Sequence, residues 1–261
     1  MALRHKLGWD PQFRARSPWF WPLMAADALR DHTDWPRLDE LDALYAGATE
    51  PHALPPLRFC ENVRKQDKRV DGQIVLSALY DARITLGNEV PTRERDWHDL
   101  FNALCFITFP RSKRALHARQ FRALAARVEP NATRLPAART PEQDALTLFD
   151  EGGVVLAAEP EVALQLLAAT GAERAELCRR FLDEARTHVV PFGHAIFEHL
   201  VEGLRCPGGC TQILAVEELR PSADGWLQRL DLQLSAAIED PSRFVSPREC
   251  AHVRLETLRF Y

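Results

Sequence analysis

Asp144-Ala-Leu-Thr-Leu-Phe-Asp150-Glu-Gly-Gly153-Val-Val-Leu-Ala-Ala158 is the stretch on which the fold class turns. Two apolar runs flank a Gly-rich centre, and this pattern predicts a β-hairpin turning at Asp150 to Gly153. Glycine supplies the positive φ that a tight hairpin requires. Strand alternation places Asp144, Leu146, Leu148 and Asp150 on one face. Six residues of strand span roughly 20 Å, so Asp144 and Asp150 cannot serve one site together. The turn alone accounts for Asp150 and Glu151, although either carboxylate is a candidate for chemistry.

Helical patterns surround this hairpin. Leu38 to Ala46 reads as a short helix and Leu57 to Phe59 as a brief strand. Ile74 to Leu86 reads as a helix with Asp71 as N-cap and Gly87 as its stop. Pro91-Thr92 opens the next helix, which runs to Phe109 before Pro110. Ser112 to Val128 follows, with Arg114, Arg119, Arg122 and Arg127 on a face read as solvated. Pro160 to Thr170, Ala172 to Thr187, Phe192 to Leu204 and Trp226 to Ile238 read as helices. Thr211 to Val216 and Val253 to Phe260 read as strands. Helices outnumber strands, and the strands come singly or as hairpins. The expectation is an α+β fold, helix-rich, with a small antiparallel sheet or β-hairpins.

The chain has 261 residues, of which 46% are hydrophobic and 27% charged, an ordinary globular composition able to bury a core. Residues 37–261 are expected to form one globular domain. Residues 1–36 hold four of the six tryptophans, Trp9, Trp19, Trp21 and Trp35, with prolines at 11, 18, 22 and 36. That segment is too broken by proline for one helix and too aromatic to lie in water. It is expected to wrap on the domain surface, its indoles plugged into it; a partner-binding arm is the functional alternative. A net charge of −4 argues against a general nucleic-acid binder. No apolar run approaches the roughly 20 residues of a membrane span, and the N-terminus lacks a signal pattern, so the expected compartment is the cytoplasm. Arginine and alanine bias suggests a GC-rich bacterial genome. The six cysteines are spread widely, and reduced thiols are expected. Cys206-Pro-Gly-Gly-Cys210 resembles half a zinc site; the other cysteines offer no second close pair, and although Cys250-Ala-His252 could complete a site from a distance, a tight turn is the better reading.

Two polar clusters carry the possible chemistry. On a helix, His98 and Asn102 share a flank one turn apart, and Asp99 points about 100° further round. The second half of that helix is apolar on all sides, hence buried, so its polar groups must be paired. In the second cluster, His194 and Glu198 stand one helical turn apart, a spacing that can present two ligands to one metal and is equally that of an ordinary i,i+4 pair. No GxGxxG, Walker loop, nucleophile elbow or HExxH is present.

Thr92-Arg93, Asp96-Trp97-His98-Asp99-Leu-Phe-Asn102-Ala-Leu, Phe109-Pro110, Asp144 to Gly152, and Phe192-Gly193-His194-Ala195 with Glu198 occur in this order. In order and spacing the chain resembles a bacterial family called domain of unknown function 3025, from roughly residue 20 to the end. Asp96 stands where the family pattern usually has Asn, and the Cys206 to Cys210 loop does not look like a family feature. The resemblance implies no activity. It does imply that polar motif residues from three distant segments matter, whereas a pattern serving packing alone would be written mainly in apolar residues.

Two expectations follow. One is a metal-dependent hydrolase in which His98, Asp99, His194 and Glu198 hold a divalent ion or act as acid and base, with Asp144 or Asp150 as a third carboxylate. Arg93 would then steady an anionic substrate, and Asn102 would orient a ligand from behind. A metal-free form would use His98 or His194 as general base. The other is a non-catalytic protein whose polar groups pin helices together while the Trp-rich arm binds a partner.

Overall fold

The structure is a computed structural model that describes residues 7–48, 54–62, 69–70, 72–204, 209–249 and 251–253. Three short 3-10 helices between Phe13 and Leu29 precede α1 (Leu38–Ala48). Then come β1 (Arg58–Glu61), β2 (Arg69–Val70), β3 (Gln73–Ile74), α2 (Tyr80–Gly87), β4 (Glu89–Thr92), α3 (Trp97–Thr108) and α4 (Pro110–Ala125). The second half runs α5 (Pro141–Gly152), β5 (Gly153–Ala158), α6 (Pro160–Ala168), α7 (Gly171–Asp183), β6 (Thr187–Pro191), α8 (His194–Val201), β7 (Gly209–Ala215), α9 (Trp226–Glu239) and β8 (Ala251–Val253). The fold is α+β and helix-rich, and the chain forms a single domain. Among the described residues, no helix is long and apolar enough to cross a membrane.

Residues 141–158 correct the hairpin. Asp144 to Gly152 is helical, and only Gly153 to Ala158 is a strand. Thr140 and Gln143 form a reciprocal capping box, with Pro141 in the first turn. This arrangement satisfies two free N–H donors and fixes the helix start. Ala145, Leu146 and Phe149 then share a buried face. The Gly-Gly pair marks a helix-to-strand junction rather than a turn. At Gly153 a Cβ would lie 2.2 Å from the Phe149 carbonyl oxygen, so the chain can pass there only without a side chain. Gly153→Ala is expected to destabilise the protein by about 3 kcal/mol, the upper end of overpacking costs, read as a lowered urea midpoint with unchanged slope.

β5 is central in a four-stranded sheet of order β6-β5-β7-β8, parallel to β7 and antiparallel to β6. It is buried at every position because both faces are covered, which is why its sequence is continuously apolar rather than alternating. Val155 and Ala157 pack with α4, α5 and α9; Val154, Leu156 and Ala158 pack with α6 and α7. β1 and β4 pair in parallel, so Pro91-Thr92 ends a strand instead of opening a helix. Asp96 caps α3, its carboxylate accepting from the Asp99 N–H. Thr187, read as the last residue of a helix, instead opens edge strand β6, and α7 stops at Asp183.

A third core joins α1, α3 and α8 to the N-terminal segment. Phe13 and Phe20 are buried against Phe101, Trp9 stacks on Trp97 at 5.5 Å, and Trp9 Nε1 donates to the His32 carbonyl. Trp21 Nε1 donates to the Val189 carbonyl on β6, capping part of that sheet edge.

The arginine face of α4 is corrected in part: Arg122 and Arg127 are exposed as expected, but Arg114 is half-buried and Arg119 buried. Arg119 is buried and donates to Glu142 and to the carbonyls of Ile238, Asp240 and Arg243. Arg114 reaches Asn88 and the Pro55 carbonyl. The periodicity could not show that α9 and α2 pack on both sides of this helix. Cys210 is disulfide-bonded, against the expectation of reduced thiols, whereas Cys60, Cys105 and Cys178 are free. Asp71, Cys206, Cys250 and the tail after Val253 lie outside the described residues.

Candidate metal centre

α3, α5 and α8 converge at one point. α3 brings His98, α8 begins with His194 immediately after the sheet, and α5 ends with Asp150-Glu151. Gly193 permits the approach: a Cβ there would lie 2.4 Å from the Glu151 carbonyl oxygen.

The two imidazoles face each other, with His98 Nε2 and His194 Nε2 3.0 Å apart and the rings nearly perpendicular. A Glu151 carboxylate oxygen lies 3.5 Å from His194 Nε2. His98, Glu151 and His194 each offer a ligand atom, all within 4.8 Å of one another. Behind each ring stands a carboxylate. Glu198 Oε2 meets His98 Nδ1 at 2.9 Å, which orients the ring and leaves Nε2 facing inward. Asp150 Oδ2 lies 4.0 Å from His194 Nδ1. The hydrogen bond to Glu198 raises the pKa of His98 and lowers that of Glu198. Burial, only partly offset by Asp150, pushes His194 down to about 3. One proton between the two facing Nε2 atoms joins the rings, whichever ring carries it.

The linkage sign for His194 follows. Between its unfolded pKa of about 6.5 and the folded value of about 3, the unfolded chain binds a proton that the folded chain refuses. Stability therefore falls as pH drops through that window. His98 acts oppositely, its contribution lost as pH rises through its raised pKa. Urea denaturation at pH 7 and pH 5 is expected to show a smaller acid-side loss in His194→Gln than in the wild type.

Beneath the cluster lies a buried ion pair. Lys113 of α4 is fully buried and donates to Asp150 Oδ1, its ammonium also 4.8 Å from the centre of the Phe106 ring. Burial alone would raise the Asp150 pKa; Lys113, His194 and His117 together pull it well below the usual carboxylate range. His117 Nδ1 pairs with Asp81 at 2.8 Å, and its Nε2 stands 4.0 Å from Asp150 Oδ2. Asn102 donates to the Tyr80 hydroxyl at 2.8 Å.

The other sequence candidates stand elsewhere. Asp99 is held by Arg93 in a two-pronged pair at 2.9 and 2.7 Å, and it also accepts from the Arg93 N–H. Those bonds raise the Arg93 pKa and fix both groups at the start of α3. Asp144 is exposed on α5. Six residues on a helix place it about 240° around from Asp150, away from the cluster. His194 and Glu198 meet through His98 rather than pairing with each other. Lys113, His117, Tyr80 and Asp81 went unread in the sequence. One signal existed for Lys113: it is the only lysine after Lys68 in an arginine-rich chain.

The fold and this cluster define a helix-rich α+β protein with a paired-histidine, carboxylate-backed centre where three helices meet. The chain belongs to the family described as protein of unknown function, DUF3025, which matches residues 68–255. That match is narrower at its start than the motif resemblance, and it contains His98, Glu151, His194 and Glu198. No curated protein and no solved structure matches the chain.

Proposed function

We propose that this protein is a metal-dependent hydrolase whose divalent ion is held by His98, His194 and Glu151. The observation carrying this reading is that two imidazole Nε2 atoms point at each other 3.0 Å apart, with a third ligand atom beside them. At metal–nitrogen distances of about 2.0–2.1 Å, that separation corresponds to an angle of about 95° at the ion, so a small opening of the rings reaches tetrahedral geometry. Three protein ligands leave a coordination position open, the pattern of a catalytic rather than a structural site. An ion there would supply Lewis acidity and lower the pKa of a water to about 7.

The surrounding residues have separate tasks. Glu198 holds the His98 ring through a hydrogen bond, the way carboxylates behind metal-binding histidines raise their basicity and fix their rings. Asp150, anchored by Lys113, stands 4.0 Å from His194 Nδ1, too far for a hydrogen bond, and acts on it directly through charge alone. Glu151 has its side chain 46% exposed, so the centre opens to solvent on its side. Arg93 and Asp99 brace the start of α3. In the test, chelator-stripped protein should lose hydrolysis of p-nitrophenyl acetate and regain it with Zn, Mn or Mg. His194→Ala should not regain it. Hydrolysis that persists unchanged after stripping contradicts the reading.

One observation favours the rival, a structural network without chemistry: a single proton between the two facing Nε2 atoms already satisfies both. The two readings part on metal affinity, which a network pinned by that proton would not show.

A further inference from the structure

His117 and His194 are each 3% exposed, and each keeps one buried ring nitrogen, His117 Nε2 and His194 Nδ1, that makes no hydrogen bond among the described residues. Buried polar atoms are nearly always paired, with protein or with ordered water. Both nitrogens stand 4.0 Å from the same atom, Asp150 Oδ2. That is too far for a direct bond, and it is a separation that one bridging oxygen spans with two bonds of about 2.8 Å. The other atoms of these groups are committed. His117 Nδ1 meets Asp81, His194 Nε2 faces His98, and Asp150 Oδ1 accepts from Lys113. The Asp150 backbone carbonyl also bears on the His194 ring without completing a hydrogen bond to Nδ1. His117 and Asp150 line a cavity of about 480 Å³, which gives a small molecule access to this point.

We propose that a single buried water is bound by Asp150 Oδ2, His117 Nε2 and His194 Nδ1, and that His117 is the positioning residue that holds it. Water suits the place because it can donate or accept, so it fits whichever ring nitrogens carry protons. A cation would need both nitrogens as acceptors, beside a carboxylate that Lys113 already pairs. Three partners are the usual number for a buried water. The water donates to Asp150 Oδ2 and turns the 4.0 Å gap into a chain running from Lys113 through Asp150 and the water to His194. His117, itself fixed by Asp81, sets the water's position from the side. This chain orients the His194 ring through the water, as Glu198 orients His98 by direct contact. That consequence for the metal rests on the hydrolase reading; the water site does not.

The metal-free full chain, crystallised well enough to show ordered water, is expected to hold one water within about 3.2 Å of all three atoms. His117→Gln, whose amide can stand where Nε2 does, should keep that water, and His117→Phe should lose it. Both variants give up the contact with Asp81, so the comparison isolates the water from the loss of that pair. Zn affinity, read by competition with a coloured chelator, should fall about tenfold in His117→Phe and stay within about twofold of the wild type in His117→Gln, the size expected of a group acting from behind a ligand. If the phenylalanine variant does not fold, the wild-type and His117→Gln structures still decide. No water at this place, a water touching only one of the two nitrogens, or its loss in His117→Gln overturns the proposal. Equal Zn affinity in all three proteins overturns the positioning role. A water in place in a protein that binds no Zn refutes the hydrolase reading alone.

Discussion

Lys113→Met is expected to destabilise the protein by about 3–5 kcal/mol, the usual cost of leaving a buried charge without its partner. Methionine fills nearly the same volume, so packing against Phe106 is largely kept and the loss is electrostatic. Asp150 is the stranded group. Its folded pKa lies below the unfolded value, so the pair contributes stability above the unfolded pKa of about 3.9 that is lost as pH falls through the folded pKa. In the variant, Asp150 reverts to a buried, unpaired carboxylate that is easier to protonate folded than unfolded, and the deficit should shrink as pH is lowered from 7 towards 4. Lys113→Met with Asp150→Asn should recover part of the loss at pH 7. Urea unfolding of the four proteins measures this directly; a Lys113→Met variant as stable as the wild type at pH 7 contradicts the assignment of a buried pair.

Glu198→Gln gives the second large effect, on the ion rather than on the fold. Glu198 touches only the outer nitrogen of His98 in the cluster, so it is not expected to ligate. Its amide replacement can still accept from Nδ1–H but no longer raises the basicity of the ring. Affinity for the divalent ion is expected to fall about 10–100-fold, with stoichiometry unchanged. Glu151→Gln removes a ligand instead and should cost more. If Glu198→Gln abolishes binding while Glu151→Gln leaves it intact, the two carboxylates have exchanged roles.

How far the sequence disclosed this arrangement depends on what each residue's periodicity depended on. α9 and the body of α3 were legible because their apolar stripes are local, whereas the start of α3 was placed at Pro91, which lies in β4, and its cap Asp96 was missed. His98, His194 and Glu198 were legible as polar groups on helices that had to be buried, but their partners were not, because pairing across 96 and 100 residues leaves no mark on spacing. The hairpin reading of 144–153 failed although its correction, Thr140 with Gln143, was written in the chain. Gly-Gly serves a close helix-to-strand passage as readily as a turn. That one misreading placed Glu151 on a turn and hid its approach to His194. Lys113 and His117 were lost differently. The polar face of α4 looks solvated in one dimension, and only the packing of α2, α5 and α9 around it makes that face an interior.

Metal content tests the central claim most directly. Wild-type protein dialysed against Zn and Mn, then washed free of excess, is expected to retain one divalent ion per chain by elemental analysis. His98→Ala and His194→Ala, still folded by circular dichroism, should retain none. A wild type that retains no ion, or variants that retain as much as the wild type, would contradict the assignment of His98, His194 and Glu151 as a metal centre.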